Sequence, residues 1–408
     1  MKYRLIDLLR CPSCQDRLAL TAYVLGRAPA EPPIFETVRC SEICTLAGTT
    51  ATAADPVQCR ECYRQEVEEG RLACSGCGAA YPIVAGVPRL LQGRLLEEAL
   101  AAHPQFIARH GGDFPRLSAE PRAGEGAKVA TLRAFGYQWT TFVDNFDYFR
   151  ELFLSFVHPF LGPEDFRGRL VLEVGCGSGR PASVAASLGA EVVGCDLSAA
   201  VETAHTLRER FPLIHAVQAD AYALPLRPAF DIVYSVGVIQ HLPDPARALI
   251  QIARLVQPGR PLVVWVYGVR EVWYRPIDGL RRITVRLPFS VLRVLSYGLA
   301  VWSEIFLLTP YRILNRLPAT RRFAQQIPGR VYAMLPFREN VLGWFDRLGA
   351  PVTHYFSREQ VTTMLEAAGL RDVEVVARPG ASASWVARGM RLNVEGESTD
   401  CQSGNAVY

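Results

Sequence analysis

Lysine is nearly missing from this chain: of 44 basic residues only Lys2 and Lys128 are not arginine, a skew that genome composition explains before function does. Net charge is low as well, +4 over 408 residues, and it is not spread evenly. Residues 270–330 hold eleven arginines against Glu271, Asp278 and Glu304, which leaves the rest of the chain net acidic by four. A protein that reads nucleic acid shows a broader basic face than this, so no nucleic-acid partner is expected. Also missing is a basic opening followed by an apolar run and a small-residue cleavage site. MKYRLIDLLRCPSC runs straight into a cysteine pair, and the expected location is the cytoplasm. No internal repeat is visible beyond the cysteine pairs. What is plentiful is apolar: 50% of the residues are hydrophobic, too many for a disordered chain, and the length suffices for two or three domains with cores of their own.

Eight of the eleven cysteines fall in the first 77 residues as four close pairs, Cys11/Cys14, Cys40/Cys44, Cys59/Cys62 and Cys74/Cys77. In a reducing compartment such grouping favours thiolate-bound zinc over disulfides. Eight thiolates leave no open coordination position, which marks structural zinc rather than a catalytic ion. CRECYRQEVEEGRLACSGC, residues 59–77, looks like one self-contained four-cysteine site, yet Cys11 and Cys14 stand far upstream, so the spacing alone leaves the pairing open. Cys176, Cys195 and Cys401 have no sequence partner and read as small packing or tail residues.

Residues 1–92 form the cysteine-rich unit, closing in YPIVAGVPRLL with β-type residues punctuated by proline and glycine. A helical stretch and the Gly/Pro-rich GGDFPRLSAEPRAGEGA make 93–127 the linker candidate. Between 128 and 269 short apolar runs alternate with helical text (LVLEVG, PASVAASLG, EVVGCDLS, HAVQAD, FDIVYSVGV, PLVVWVYG), the pattern of βαβ units and a doubly wound parallel sheet. The alternation stops at Arg270, leaving 270–338 as a helical cap inserted into the sheet domain. It resumes over 339–390, with FSREQVTTMLEAAGL as helix and RDVEVVARP as a late strand, and 391–408 is a polar, frayed tail.

VLEVGCGSG ends an apolar strand in Gly175, Gly177 and Gly179 just before a helix, where glycines let the backbone turn sharply and approach a ligand. Counted as GxGxxG, the third glycine falls on Arg180, which weakens a dinucleotide reading. Asp196 closes the next strand, where a carboxylate can accept both ribose hydroxyls, and Asp220 closes the third, in reach of an adenine amino group. Together these residues resemble the class I S-adenosylmethionine (SAM) dependent methyltransferases, in particular the small-molecule branch of the ubiquinone and menaquinone methyltransferases. The resemblance covers residues 168–268 closely and 352–378 more loosely. It implies a Rossmann-like core that binds SAM through Glu173, Gly175, Gly177 and Gly179, with Asp196 at the ribose and Asp220 with Ala221 at the adenine. Cys176 and Leu197 count with these contacts, and Ser235 and Val236 face the methyl group. Tyr137, in FGYQW, belongs to a helix that closes over the cofactor, with Gln138 and Trp139 beside it. Arg260, in QPGRP, stands where the family often has a second glycine, outside the cofactor contacts.

Methyl transfer is an in-line displacement governed by alignment, and a base is needed only where the acceptor must lose a proton. His241, in VIQHLPD, is the candidate base, with His354 and Tyr355 as further candidates facing the acceptor. The cap carries PFSVLRVLSYGLAVWSEIFLLTP, long enough to suggest a membrane span but broken by Arg293, Glu304 and a thin polar stripe (Ser290, Ser296, Ala300, Ser303). Such a helix either packs in a cap or lies on a membrane surface. With eleven arginines around it, the expected acceptor is small, largely apolar and anionic at one end, held by Arg281, Arg282 and Arg286, and a peripheral membrane or carrier-protein contact fits the same text.

CPSCQDRL with CSGCGAAYPIVAGVPRLL resembles the zinc ribbon of methyltransferase-activator proteins, also found fused ahead of methyltransferase domains. That resemblance implies Cys11 and Cys14 with Cys74 and Cys77 as one zinc site, leaving Cys40, Cys44, Cys59 and Cys62 for a second. Two rival readings remain open: an RNA base methyltransferase that uses its zinc unit on RNA, and a catalytically silent partner protein.

Overall fold

The computed structural model describes residues 1–114, 125–142, 149–269, 275–327, 329–378 and 384–392. The middle of the expected linker, Arg270, Glu271 and the tail with Cys401 lie outside the described residues. The cysteine-rich unit holds β1 (Leu18–Arg27), β2 (Ile43–Cys44), β3 (Thr49–Thr50), α1 (Pro56–Arg64), β4 (Gln65–Cys74), β5 (Ala80–Val84) and β6 (Val87–Leu90). Three helices follow, α2 (Gly93–Leu100), α3 (Pro104–His110) and α4 (Glu125–Thr141), then α5 (Phe149–Val157). The core alternates as expected: β7 (Leu170–Val174), α6 (Arg180–Ser187), β8 (Glu191–Asp196), α7 (Ala200–Thr206), β9 (Ile214–Ala219), β10 (Ile232–Val236), α8 (Pro245–Ala253) and β11 (Pro261–Tyr267). The cap contributes α9 (Arg275–Thr284), α10 (Phe289–Ser303), α11 (Thr309–Arg316), α12 (Arg321–Ala324) and α13 (Phe337–Gly349), before α14 (Arg358–Ala367), β12 (Leu370–Ala377) and β13 (Ser384–Arg391).

Eleven strands make one sheet in the order β1-β4-β5-β6-β9-β8-β7-β10-β11-β13-β12. Its seven-stranded half, β9 to β12, is parallel except for β13, which runs antiparallel to both neighbours. This is the doubly wound sheet that the sequence predicts, with a chain reversal at β7/β10 that opens a crevice at the strands' carboxyl ends.

The expected boundary at residue 92 is not a break between two bodies. β6 pairs in parallel with β9, Arg89 opposite Gln218 and Leu90 opposite Ala219, so the cysteine-rich unit continues the core sheet. The physical reason is that β9 would otherwise be an exposed edge with unpaired backbone groups. One apolar core crosses the junction, with Leu5, Leu8 and Leu9 packed in the same cluster as Val217, Leu226 and Phe230. Residues 93–114 are likewise a packed layer rather than a free linker: Leu95, Leu96, Phe106 and Phe114 share a cluster with Val129 and Leu132 of α4.

Charges also bridge the junction. Glu191, fully buried at the start of β8, accepts hydrogen bonds from Arg4 (3.1 Å), Tyr63 (2.6 Å) and His215 (3.2 Å), and Arg39 reaches its other oxygen. Burial pushes its pKa up, but Arg4, His215 and Arg39 outweigh burial and hold it well below the usual carboxylate range. A carboxylate here without such partners would cost several kcal/mol, roughly the desolvation penalty per ion.

Two expectations shift in the C-terminal third. α13 belongs with the cap, since Val341, Leu342, Phe345 and Leu348 are buried against Leu292 and Ala300 of α10. The late strand has a partner that the sequence reading missed: β13 lies between β11 and β12, where SWVARGMR buries Val386 and Ala387 completely.

α10 is turned inside out relative to an ordinary surface helix. Its small and polar stripe faces inward: Ser296, Ala300 and Ser303 are buried, with Asn340 Nδ2 donating to Ser303 Oγ (2.8 Å) and to the Ala300 carbonyl (3.1 Å). Its apolar side faces out. Fourteen of the twenty-one large apolar side chains exposed among the described residues lie between Leu280 and Phe337, including Val294, Trp302, Ile305 and Phe306. From Phe289 to Arg316 the helical run is long and apolar enough to cross a membrane by length and composition alone.

Candidate active site and metal centre

β7 ends at Val174, and the chain turns through Gly175, Gly177 and Gly179 with φ of 80°, 51° and 82° before entering α6. These are left-handed conformations that a side chain would strain, and a Cβ at Gly175 would sit 2.2 Å from the Val238 side chain. The loop is tied to the neighbouring strand: Gly175 N–H donates to the Cys195 carbonyl (2.7 Å) and Gly177 N–H to Asp196 Oδ2 (2.8 Å). Ser198 donates to Asp196 Oδ1 through both its backbone N–H (2.8 Å) and its hydroxyl (2.7 Å). Burial raises the Asp196 pKa, against these three bonds. Burial also pushes Glu173 well above the usual carboxylate range, although the Tyr234 hydroxyl donates to it (3.2 Å).

A cavity of about 990 Å³ opens over this turn. Glu173, Gly175, Cys176, Gly177, Asp196, Leu197, Asp220, Ala221, Val236 and His241 all line it, as do Gln138 and Trp139. Asp196 and Asp220 stand at the ends of β8 and β9, while the other side of the crevice, over β11, β13 and β12, is walled by Trp265, Tyr267, Arg378 and Ser384. The volume exceeds the needs of one nucleoside-sized ligand, since drug-sized sites begin near ~300 Å³. Glycines that bring backbone to the cavity, with two carboxylates on adjacent strand ends, are a donor set that fits an adenosyl group.

Five predicted site residues lie off the cavity. Gly179 caps α6, where a Cβ would meet Leu207 at 2.6 Å. The Ser235 hydroxyl is buried in the sheet, donating to the Val174 carbonyl (2.9 Å). Tyr137 faces the cap, stacked on Phe289 (4.9 Å) and Phe345 (5.7 Å). Helical period explains this, because Thr131, Leu132, Phe135, Gln138 and Trp139 make the cavity face of α4 and residue 137 projects elsewhere. His354 Nε2–H donates to the Leu242 carbonyl (3.0 Å), and the Tyr355 hydroxyl donates to Asp278 (2.9 Å).

His241 sits in the short helical turn Ile239–His241, 4% exposed. Its Nδ1 lies 2.9 Å from the Val352 carbonyl oxygen, which can only accept, so Nδ1 carries a proton. Nε2 is 3.9 Å from Asp346 Oδ1, and the Tyr267 hydroxyl donates to the other Asp346 oxygen (3.0 Å). A carboxylate beside Nε2 stabilises the ring once it has taken up a proton there.

Sequence reasoning missed several lining residues. Arg180, noted only for breaking a glycine pattern, pairs with Glu339 of α13 (2.9 Å) and stacks over Phe149 (4.1 Å), tying the glycine loop to the cap. Lys128 of α4 bonds Asp220 and lies 4.3 Å over the Tyr222 ring. Asp346 and Arg378 were missed because each lies over a hundred residues from the glycine loop, in text with no motif.

In the cysteine unit, Cys11, Cys14, Cys74 and Cys77 bring their sulfurs within 4.8 Å of one another, with Cys11 to Cys77 at 3.6 Å and Cys14 to Cys74 at 3.4 Å. Four Zn–S bonds of about 2.3 Å in a tetrahedron place sulfurs about 3.8 Å apart, so this set fits zinc. Burial pushes the Cys11 thiol up, but hydrogen bonds from the Tyr81 hydroxyl and from backbone N–H groups bring it down to about 7. Cys40, Cys44, Cys59 and Cys62 gather around α1 and the β2/β3 hairpin, close enough that the other three all raise the pKa of Cys62 after burial does. Their sulfurs do not reach the ligand spacing of the first set. No described cysteine is disulfide-bonded.

Residues 172–264 match the family of the methyltransferase domain, and residues 2–86 match Trm112p-like proteins. The chain is 39% identical over 110 residues to the ubiquinone biosynthesis O-methyltransferase of Alkalilimnicola ehrlichii, which is 26% of this chain and 44% of that one. It is 39% identical over 111 residues to the enzyme of the same description from Paracidovorax citrulli, 26% of this chain and 45% of that one. The chain thus spans less than half the length of these curated relatives. Among solved structures, the complex between the Haloferax volcanii Trm112 methyltransferase activator and the putative methyltransferase aligns with a TM-score of 0.37 at 12% identity, covering 64% of this chain and 96% of that one.

Proposed function

We propose that this chain, a class I methyltransferase core fused to a Trm112p-like zinc-ribbon unit, transfers the methyl group of SAM to a small, largely apolar acceptor. The observation that carries this reading is one cavity in which the glycine turn, Asp196 and Asp220 line one side while aromatic and aliphatic side chains wall the other. Bound SAM supplies an electrophilic methyl group on a sulfonium. The backbone of Gly175 and Gly177 would border the cofactor, Asp196 would hold the ribose hydroxyls, and Asp220 would hold the adenine amino group. α4 covers the site through Gln138 and Trp139 and excludes water. Where the acceptor presents a hydroxyl, His241 Nε2 takes its proton, and Asp346 steadies the charged ring that results. The relatives named above support an oxygen acceptor attached to an apolar body.

The Cys11, Cys14, Cys74 and Cys77 set holds one structural zinc, and Cys40, Cys44, Cys59 and Cys62 close on a second. The outward apolar side of α10, flanked by exposed Arg282, Arg286 and Arg293, rests on an anionic membrane surface, from which an apolar acceptor reaches the cavity.

An RNA acceptor is the second reading, which the Trm112p-like match leaves open. Radiolabelled SAM offered with a cellular lipid extract and, separately, with total RNA discriminates the two. Label in the organic phase is the expected result; label confined to RNA contradicts it.

A further inference from the structure

Five cations line the cavity, Arg330 and Arg347 from the cap and three from the sheet and its covering helices; of those three, two have acidic partners: Arg180 has Glu339, and Lys128 has Asp220. The third, Arg378, has none among the described residues. It stands just beyond the end of β12, 9% exposed, and donates through Nε (3.2 Å) and one terminal nitrogen (2.8 Å) to the Ser155 hydroxyl alone. Its guanidinium lies over the Phe156 ring at 4.2 Å and 5.7 Å from the Trp265 ring. Two more polar atoms nearby are sealed from solvent with no hydrogen-bond partner, Ser384 Oγ and Trp265 Nε1. Ser384 is joined to Arg378 through the backbone, the Arg378 N–H donating to the Ser384 carbonyl (3.0 Å). This wall of the cavity is therefore rich in donors, poor in acceptors and carries one full positive charge.

We propose that Arg378, with Ser384 and Trp265 beside it, is the subsite for an anionic group, a carboxylate or phosphate, on the methyl acceptor. The assignment rests on the reading of the cavity as a SAM site. Asp196 and Asp220 then place the adenosine over β8 and β9, and Arg378 stands on the opposite side of the chain reversal, over β12 and β13, where the acceptor lies. Burial lowers the Arg378 pKa to about 10, a direction that an anion reverses by compensating the charge. Phe156 and Trp265, under the guanidinium, provide apolar faces for the body of the same ligand. The arginines expected from sequence to play this part stand elsewhere: Arg281 is held by Asp278 (3.0 Å), Arg282 and Arg286 are exposed, and none of them lines the cavity.

Titration calorimetry with decanoate, decyl phosphate and decanol, in the presence of S-adenosylhomocysteine, tests the subsite on the unaltered chain. The acid and the phosphate ester are expected to bind roughly tenfold or more tighter than the alcohol, the scale of a charge-assisted hydrogen bond. Arg378→Gln is expected to erase that preference while leaving S-adenosylhomocysteine affinity within about twofold, and Ser384→Ala to reduce the preference about threefold. Equal binding of acid and alcohol overturns the subsite, without needing any variant to fold. If Arg378→Gln weakens S-adenosylhomocysteine in proportion, the anion is the cofactor's own carboxylate and the assignment to the acceptor falls. If S-adenosylhomocysteine fails to bind while the anion preference survives and depends on Arg378, the subsite stands and the methyltransferase reading falls.

Discussion

The two lysines show what single residues do here. Lys2 pairs with Glu66 inside the junction of the cysteine unit (2.9 Å), and Lys128 bonds Asp220 in the cavity, so neither is an ordinary surface charge. Glu66 also pairs with Arg208 (2.8 Å). Burial pushes its pKa up, but Lys2 and Arg208 bring it down to about 2 from the ordinary 4.5. The folded pKa is depressed, so the stability it contributes is complete above about pH 4.5 and is lost as pH falls toward 2. Urea midpoints measured at pH 7, 4 and 3 are expected to fall, and Glu66→Gln to flatten part of that slope; an unchanged slope in the variant contradicts the assignment. Residues of local motifs, Gly175, Gly177, Asp196 and Asp220, were legible in sequence because their chemistry is fixed by position along one strand and turn. Asp346, Arg378 and Glu339 were not, because only the tertiary fold carries them to the cavity.

At the level of elements, β7 to β11 could be read from alternation of apolar and helical text. β13 could not, because SWVARGMR carries two arginines and a glycine and gains its strand from β11 and β12 on either side. The stripe on α10 was legible as a pattern but not in its direction, which α13 decides through Asn340 and Trp344. Each large apolar side chain left in water forgoes about 1.5–3 kcal/mol of burial, which makes an outward face with Val294, Trp302, Ile305 and Phe306 expensive without a cover. Co-sedimentation is expected with vesicles containing phosphatidylglycerol, weakly or not with pure phosphatidylcholine, and to be lost in Ile305→Glu with Phe306→Glu. A chain that ignores both vesicles contradicts the membrane contact. For the cysteine unit, elemental analysis of the protein purified without chelator is expected to give two zinc atoms per chain, and one after Cys14→Ser with Cys77→Ser; a ratio near one before mutation breaks the second site.

For the whole molecule, the sequence separates a zinc unit, a sheet domain and a cap, while the structure joins the first two through β6 and β9 and lays the third over the cavity. Linear text cannot show that an edge strand is completed by a segment over a hundred residues away, since neither strand carries a mark of its partner. The consequence is that the zinc unit supports β9, whose end presents Asp220, and the cap supports the cavity through the Arg180–Glu339 pair. The proposed methyl transfer depends on that cavity holding SAM. Calorimetric titration of S-adenosylhomocysteine into the intact chain tests it most directly. A single site in the micromolar range is expected, with Asp196→Ala weakening it about a hundredfold by loss of charge-assisted bonds to the ribose. No binding, or binding indifferent to Asp196→Ala, would contradict it.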